Sequence, residues 1–85
     1  MSETLEFVQE MAPGILLADG LNDALIGICH QFGRPAVAAY DSDKIIEILM
    51  SQSMTHEEAM EYFSFNIEGA WVGEYTPVFI ATPPR

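Results

Sequence analysis

Residues 41–67 decide the fold, and they read DSDKIIEILMSQSMTHEEAMEYFSFNI. A first helix is predicted at about 42–51, because either Asp41 or Ser42 can accept hydrogen bonds from the free N–H groups of the first helical turn. Asp43 places negative charge at the positive end of the helix dipole. The apolar face of this helix consists of Ile45, Ile46, Ile48, Leu49 and Met50. We therefore expect one side of the helix to lie in the core.

A second helix is predicted at about 56–67, and it begins with a capping box. The Thr55 hydroxyl can accept a hydrogen bond from the N–H of Glu58, while the Glu58 carboxylate accepts one from the N–H of Thr55. Gly69 is expected to end the helix. Apolar side chains recur at helical spacing at Ala59, Met60, Phe63 and Ile67.

The flanking segments are typical of strands. Short apolar runs bounded by turn residues predict strands at 15–18, 24–32, 36–40 and 77–81. Residues 24–32 could also form a helix, but Gly27 disfavours a helix by about 1 kcal/mol, so the strand is favoured. Pro77 has no N–H and must stand at the start of a strand or on an edge.

These elements predict an α+β fold in a single domain, residues 1–85. A small, mainly antiparallel sheet of about three or four strands carries the two helices on one face. Residues 1–12 are spaced for a marginal helix. Both ends, 1–12 and 82–85, are expected to fray.

The charge balance restricts the partners of this chain. Thirteen acidic side chains against three basic ones leave a formal net charge of −10, which repels phosphate backbones and anionic lipid surfaces. We predict no direct nucleic-acid binding and no membrane association. Two interpretations of the acidic surface remain open: it is simply solvated, or it engages a basic protein.

The setting predicted from composition is a reducing cytoplasm. The single Cys29 cannot form an internal disulfide, and we find neither a signal peptide nor an apolar run approaching the ~20 residues of a membrane span.

No pattern in the sequence indicates catalysis. Cys29 and His30 are neighbours that point to opposite faces of a strand and cannot share a proton. Four aspartates could meet as oxygen ligands for Mg²⁺ or Ca²⁺, but turn formation and helix capping also explain them: Asp19, Asp23, Asp41 and Asp43. We predict no catalytic residue, no metal and no cofactor.

Residues 65–80 are rich in aromatic side chains and admit two interpretations. Together with Phe63 just before this stretch, its aromatics could fill a small core: Phe65, Trp71, Tyr75 and Phe79. Alternatively, Trp71 and Tyr75 stay partly exposed on a loop, flanked by Glu68 and Glu74, and anchor a protein interface.

A pattern of residues from Asp19 to Ile80 resembles small proteins encoded by tailed bacteriophages. The resemblance is carried by Asp19-Gly20, Ala24-Leu25-Ile26-Gly27, Tyr40-Asp41, Glu57-Glu58-Ala59, Glu61-Tyr62-Phe63, Phe65-Asn66, Gly69-Ala70-Trp71-Val72-Gly73-Glu74 and Thr76-Pro77. It implies expression in the cytoplasm of an infected bacterium. It implies no catalytic or binding residue.

The leading hypothesis is a non-enzymatic module that binds a host or phage protein, such as a basic nucleic-acid-binding one. Its site would combine the aromatic anchor, Trp71 and Tyr75 with Glu68 and Glu74, and carboxylates on the two helices: Asp43, Glu47, Glu57, Glu58 and Glu61. One alternative is a small-molecule or nucleotide binder, or a minimal enzyme, with a pocket between sheet and aromatic loop that a second copy completes in a homo-oligomer. Another is a minor virion component.

Overall fold

The computed structural model describes residues 3–83 and confirms the α+β class. Its helices and strands follow one another as α1 Glu3–Met11, β1 Leu25–Gln31, β2 Arg34–Asp41, α2 Ser42–Ser51, α3 His56–Tyr62 and β3 Val78–Ile80. A 3₁₀ turn, Asn22–Ala24, precedes β1, and a π-helical segment, Phe63–Glu68, extends α3. The chain ends were expected to fray, and four of the residues concerned, 1, 2, 84 and 85, lie outside the described residues.

The sheet has three strands in the order β1-β2-β3 and is mixed, with a longer antiparallel pair and a shorter parallel pair. β1 and β2 form an antiparallel hairpin, and Gly33 takes a φ of 72° in its turn. β3 pairs with β2 in parallel, with Ala39 opposite Val78. The chain leaves β2 directly into α2 and returns only after α3 and the π-helical segment, and such a crossover brings the next strand back in the same direction.

Residues 15–18 are not a strand, which corrects one of the predicted elements. They run as an irregular segment, and the Ala18 N–H donates to the Tyr40 hydroxyl over 2.8 Å instead of to a neighbouring strand. Ile15, Leu17 and Ala18 pack against the core. An apolar run can therefore be sequestered by side-chain packing and one hydrogen bond without joining a sheet.

Both predicted helices form, and both begin at the predicted caps. Asp41 Oδ1 accepts hydrogen bonds from the N–H groups of Asp43 (2.9 Å) and Lys44 (3.2 Å). Thr55 and Glu58 form the complete capping box, at 3.2 Å and 2.8 Å. α1, Glu3–Met11, lies where the sequence predicts a marginal helix at 1–12, and its Val8 is buried.

The predicted helix at 56–67 changes type part-way. It is α-helical to Tyr62 and then π-helical to Glu68, where the Gly69 N–H donates to the Ser64 carbonyl over 3.0 Å. Gly69 does end the helix, but with a φ of −79° rather than a left-handed turn. A Cβ on Gly69 would lie 2.8 Å from the Ser64 oxygen, so the close approach requires glycine.

The core lies between the sheet and the helices. Tyr40 from β2 is fully buried there and stacks on Phe79 of β3 with ring centroids 6.1 Å apart. Phe63 meets Phe79 edge-on at 5.4 Å. Other buried side chains come from α1, α2 and α3, and they include Val8, Ile45, Ile46, Leu49 and Ala59. Burial of each large aliphatic side chain contributes roughly 1.5–3 kcal/mol.

Candidate functional site

The aromatic loop, residues 69–77, presents large side chains to solvent. Trp71 is 73% exposed and Tyr75 is 57% exposed, and Phe65 just before the loop is 80% exposed. Phe63 and Phe79 lie in or against the core. The structure thus divides the aromatic residues: two fill the core, and three lie on the surface.

Hydrogen bonds hold this loop in a defined turn. Gly73 adopts a φ of +102°, which favours glycine. The Thr76 hydroxyl accepts a hydrogen bond from the Val72 N–H at 2.9 Å and donates one to the Gly73 carbonyl at 2.6 Å. The Thr76 N–H also donates to the Gly73 carbonyl, at 3.1 Å. Trp71 therefore directly precedes this closed turn and Tyr75 lies within it, which lowers the backbone entropy lost when a partner covers them.

An apolar groove of about 400 Å³ opens beside the aromatic loop. Three parts of the chain line it: the irregular segment before β1, the end of α2, and the stretch from α3 to β3. The lining residues are Leu16, Leu17, Ala18, Asp19, Gly20, Leu21, Leu49, Gln52, Tyr62, Asn66, Ile67, Ala70, Val72, Thr76, Pro77 and Phe79.

Burial differs between the depth and the rim of the apolar groove. Leu21 and Leu49 belong to the buried core. At the rim, Leu16 is 41%, Tyr62 43% and Val72 61% exposed. The groove therefore joins core atoms to exposed apolar side chains in one continuous concave surface.

A few polar side chains reach the apolar groove. Asp19, Gln52 and Asn66 are exposed, and within residues 3–83 their side chains have no hydrogen-bond partner. A carboxylate and two amides are thus available to a ligand, while Thr76 uses its hydroxyl within the loop.

Tyr40 holds the groove-lining segment, residues 16–21, in place through its hydroxyl group. Burial raises the pKa of its phenol above the ordinary value of 10.0, while the hydrogen bond from the Ala18 N–H lowers it, and the negative charge of Asp19 raises it further. The neutral phenol is therefore the stable form under ordinary conditions, and it anchors Ala18 and its neighbours.

The five helix carboxylates predicted to contribute are exposed but do not line the apolar groove. Asp43 and Glu47 lie one turn apart on α2, and Glu57 and Glu61 lie one turn apart on α3, opposite buried Ala59. Two of the five already have partners: Glu47 lies 3.8 Å from the Lys44 ammonium, and Glu58 completes the capping box.

Glu68 and Glu74, predicted beside the aromatic anchor, are both exposed: Glu68 directly precedes the aromatic loop, and Glu74 lies within it next to Tyr75. Neither lines the groove. The site therefore consists of the aromatic loop, with Glu74, and the groove, and Glu68 lies at its border.

Sequence reasoning missed half of this site. The sequence predicts Leu16 and Leu17 in a strand, Asp19 in a turn and Asn66 in the second helix. It assigns none of these residues, nor Gln52, to the partner-binding site. The sequence signal for this part of the groove is the apolar run at 15–17 next to the charged turn at Asp19. The run becomes part of a groove only because it packs beside the end of α2, which the sequence does not show.

The described part of the chain, residues 3–83, contains no group of three His, Cys, Asp or Glu side chains placed to hold a metal ion. Over the same residues, no helix has the length and apolar character needed to cross a membrane.

Comparison with known proteins gives no relative: no family model matches the chain, and no curated protein or solved structure is significantly similar to it. The candidate function thus depends on the geometry and chemistry of the site.

Proposed function

We propose that this chain is a small non-enzymatic module that binds a basic protein through its aromatic loop. The observation that carries the proposal is the exposure of Trp71 and Tyr75, 73% and 57%, on a loop whose turn is closed by hydrogen bonds. Tryptophan and tyrosine at the centre of an interface are the residue types that most often dominate its binding energy.

The charge supports a basic partner. A net charge of −10 attracts a basic surface from a distance and repels nucleic acid and anionic lipid. Glu68 and Glu74 place two of these charges beside the aromatic anchor, where they would meet the rim of the partner's surface. The exposed carboxylates of α2 and α3 would add to the long-range field.

The setting that we propose is the cytoplasm of a bacterium infected by a tailed phage, with a host or phage protein as the partner. A basic nucleic-acid-binding protein has the required surface, since its own ligand carries negative charge.

An affinity capture from infected bacteria tests this function. Wild-type protein and Trp71→Ala are used as baits side by side, with Phe32→Ala as the matched control because Phe32 is fully exposed on the β1–β2 turn. We expect one basic protein to be retained by wild type and Phe32→Ala and depleted about tenfold or more by Trp71→Ala. Circular dichroism and thermal unfolding establish that all three baits are folded.

Equal retention by Trp71→Ala would contradict the proposal, as would a retained partner with an acidic surface. Absence of any partner enriched over a bait-free control would contradict it as well.

The apolar groove favours a second candidate, a small-molecule or nucleotide binder. Its volume of about 400 Å³ falls within the ~300–1,000 Å³ range of ligand pockets. A second copy of the chain in a homo-oligomer could close its open side. A thermal shift screen with nucleotides and divalent ions tests this candidate, since a ligand at 100 times its dissociation constant stabilises a protein by about 2.7 kcal/mol. If no nucleotide or divalent ion raises the melting temperature, these ligand classes are excluded.

A further inference from the structure

We infer that the apolar groove beside the aromatic loop is the docking site for a basic amphipathic helix of the partner. This inference rests on the proposed function and specifies which part of the partner the module recognises. The rim of the groove includes Val72 of the aromatic loop, so a segment in the groove would contact the loop at the same time.

The lining selects for apolar side chains. Leu17, Leu21 and Phe79 bring core or partly buried apolar atoms to the groove, and Leu16 and Val72 extend this surface outward. An apolar side chain that enters gains about 25 cal/mol for each Å² removed from water.

The charge of the lining selects for a basic segment. Asp19 lines the groove, and no Lys or Arg of the described residues does. Of the described cations, Arg34 begins β2 and Lys44 lies beside Glu47 at 3.8 Å. A Lys or Arg next to an apolar anchor could therefore pair with the Asp19 carboxylate without competition from within the protein.

The sheet edge that reaches the groove argues for a helix rather than an added strand. Strand addition requires a run of unpaired backbone N–H and C=O groups. β3, the edge strand beside the groove, spans only Val78–Ile80, and Pro77 just before it has no N–H. β1 is the longer edge strand on the other side of the sheet, and none of its residues lines the groove. The groove offers apolar side chains rather than free backbone groups, which matches the helix-in-groove mode. In that mode the partner helix inserts apolar side chains from positions i, i+3 or i+4 and i+7.

Peptide selection tests the inference without knowledge of the partner. A yeast-displayed library of random peptides that lack tryptophan is selected on wild-type protein. We expect the enriched peptides to combine apolar residues at helical spacing with Lys or Arg between them. Their binding is then measured by the fluorescence of Trp71, the single tryptophan of the chain.

Charge-reversal variants locate the binding site. Asp19→Lys alters the groove, whereas Asp23→Lys makes the same charge change at an exposed residue that does not line it. We expect Asp19→Lys to weaken binding of the selected peptides about tenfold, which corresponds to ~1.4 kcal/mol, and Asp23→Lys to leave it within about twofold. A second pair of variants tests the apolar contacts in the same way. Val72→Ser, in the groove, should weaken peptide binding, whereas Phe32→Ser, outside it, should not.

Several results would overturn the inference: no enrichment, enriched peptides without basic residues or with strand-like alternation, or equal weakening by Asp19→Lys and Asp23→Lys. A captured partner that depends on Trp71 but binds Asp19→Lys normally would remove the groove inference and leave the proposed function intact. Peptide binding in the groove without any captured basic protein would overturn the proposed function alone.

Discussion

Tyr40 is the residue on which the groove-lining segment most depends. Its side chain is fully buried, stacks on Phe79, and offers its oxygen to the Ala18 N–H at 2.8 Å. Without that oxygen, the Ala18 N–H would be left without its acceptor in a partly buried place, at a cost of about 1–3 kcal/mol.

The pH dependence of stability is expected to carry a component from Tyr40. Burial raises its pKa above 10.0 in the folded protein, although the Ala18 hydrogen bond opposes the shift. The unfolded chain therefore loses this proton first as pH rises, so the free energy of unfolding falls from about pH 10 upward and is unaffected by this group below that pH.

Chemical denaturation from about pH 9 to about pH 11 measures this component. Tyr40→Phe is less stable than wild type at neutral pH but should lose less stability over that interval, because it keeps every other titratable group. Parallel pH profiles for the two proteins would show that the prediction is wrong.

Thr76 is expected to control the order of the aromatic loop. Thr76→Val keeps the shape of the side chain but removes both hydroxyl hydrogen bonds, to Val72 and Gly73. We expect faster hydrogen exchange at the Val72 amide and weaker partner binding, with a loss of about 1 kcal/mol for a hydrogen bond. Thr82→Val, a change at an exposed residue after β3, should have neither effect.

At the scale of elements, the π-helical segment links α3 to the groove. Asn66 and Ile67 of this segment line the groove, and such π-turns occur often at functional sites. The wider turn ends because Gly69 lets its N–H approach the Ser64 carbonyl.

Gly69→Ala is expected to open this last turn. The added Cβ would lie 2.8 Å from the Ser64 oxygen, so the backbone must move and stability should fall by about 1–3 kcal/mol. Gly27→Ala is the matched control, because a Cβ there meets no atom within 4 Å. Thermal unfolding compares the two variants, and equal melting temperatures would show that the close approach does not constrain Gly69.

At the scale of the whole molecule, like charges act against folding. The net charge is −10, and between residues 3 and 83 one acidic side chain lies in an ion pair, Glu47 with Lys44. Glu57 and Glu61 stand one turn apart on α3, a spacing at which like charges repel.

Added NaCl should therefore raise the melting temperature, since at 0.1 M salt the screening length falls to ~10 Å. Glu61→Gln removes this repulsion and leaves Glu57 at the positive end of the helix dipole, so it should stabilise the protein by about 0.2–0.5 kcal/mol at low salt and by less at high salt. Scanning calorimetry of wild type and variant over a series of salt concentrations measures both melting temperatures. A melting temperature that falls as salt is added would argue against repulsion between the acidic side chains.

Local interactions made part of the fold predictable from sequence. The caps at Asp41 and Thr55 and most of the buried face of α2 depend on residues within a few positions of one another, although Met50 of that predicted face is 41% exposed. The β1–β2 hairpin depends on one tight turn. For that reason they were predicted correctly. The acidic composition also predicts, without any structure, that nucleic acid is an unfavourable direct ligand, and this stays a prediction.

Contacts between distant segments determined the rest. Tyr40 holds Ala18 outside the sheet, and the return of the chain after α3 makes β3 parallel to β2. The groove exists because Leu17, Leu49 and Phe79 come together from three parts of the chain, and the same packing leaves Trp71 on the surface. Sequence alone determined which segments are helical and what charge the surface carries; tertiary structure alone decided where the site lies. The physical reason is that helix caps and turns are short-range, whereas a concave surface depends on how separate elements pack.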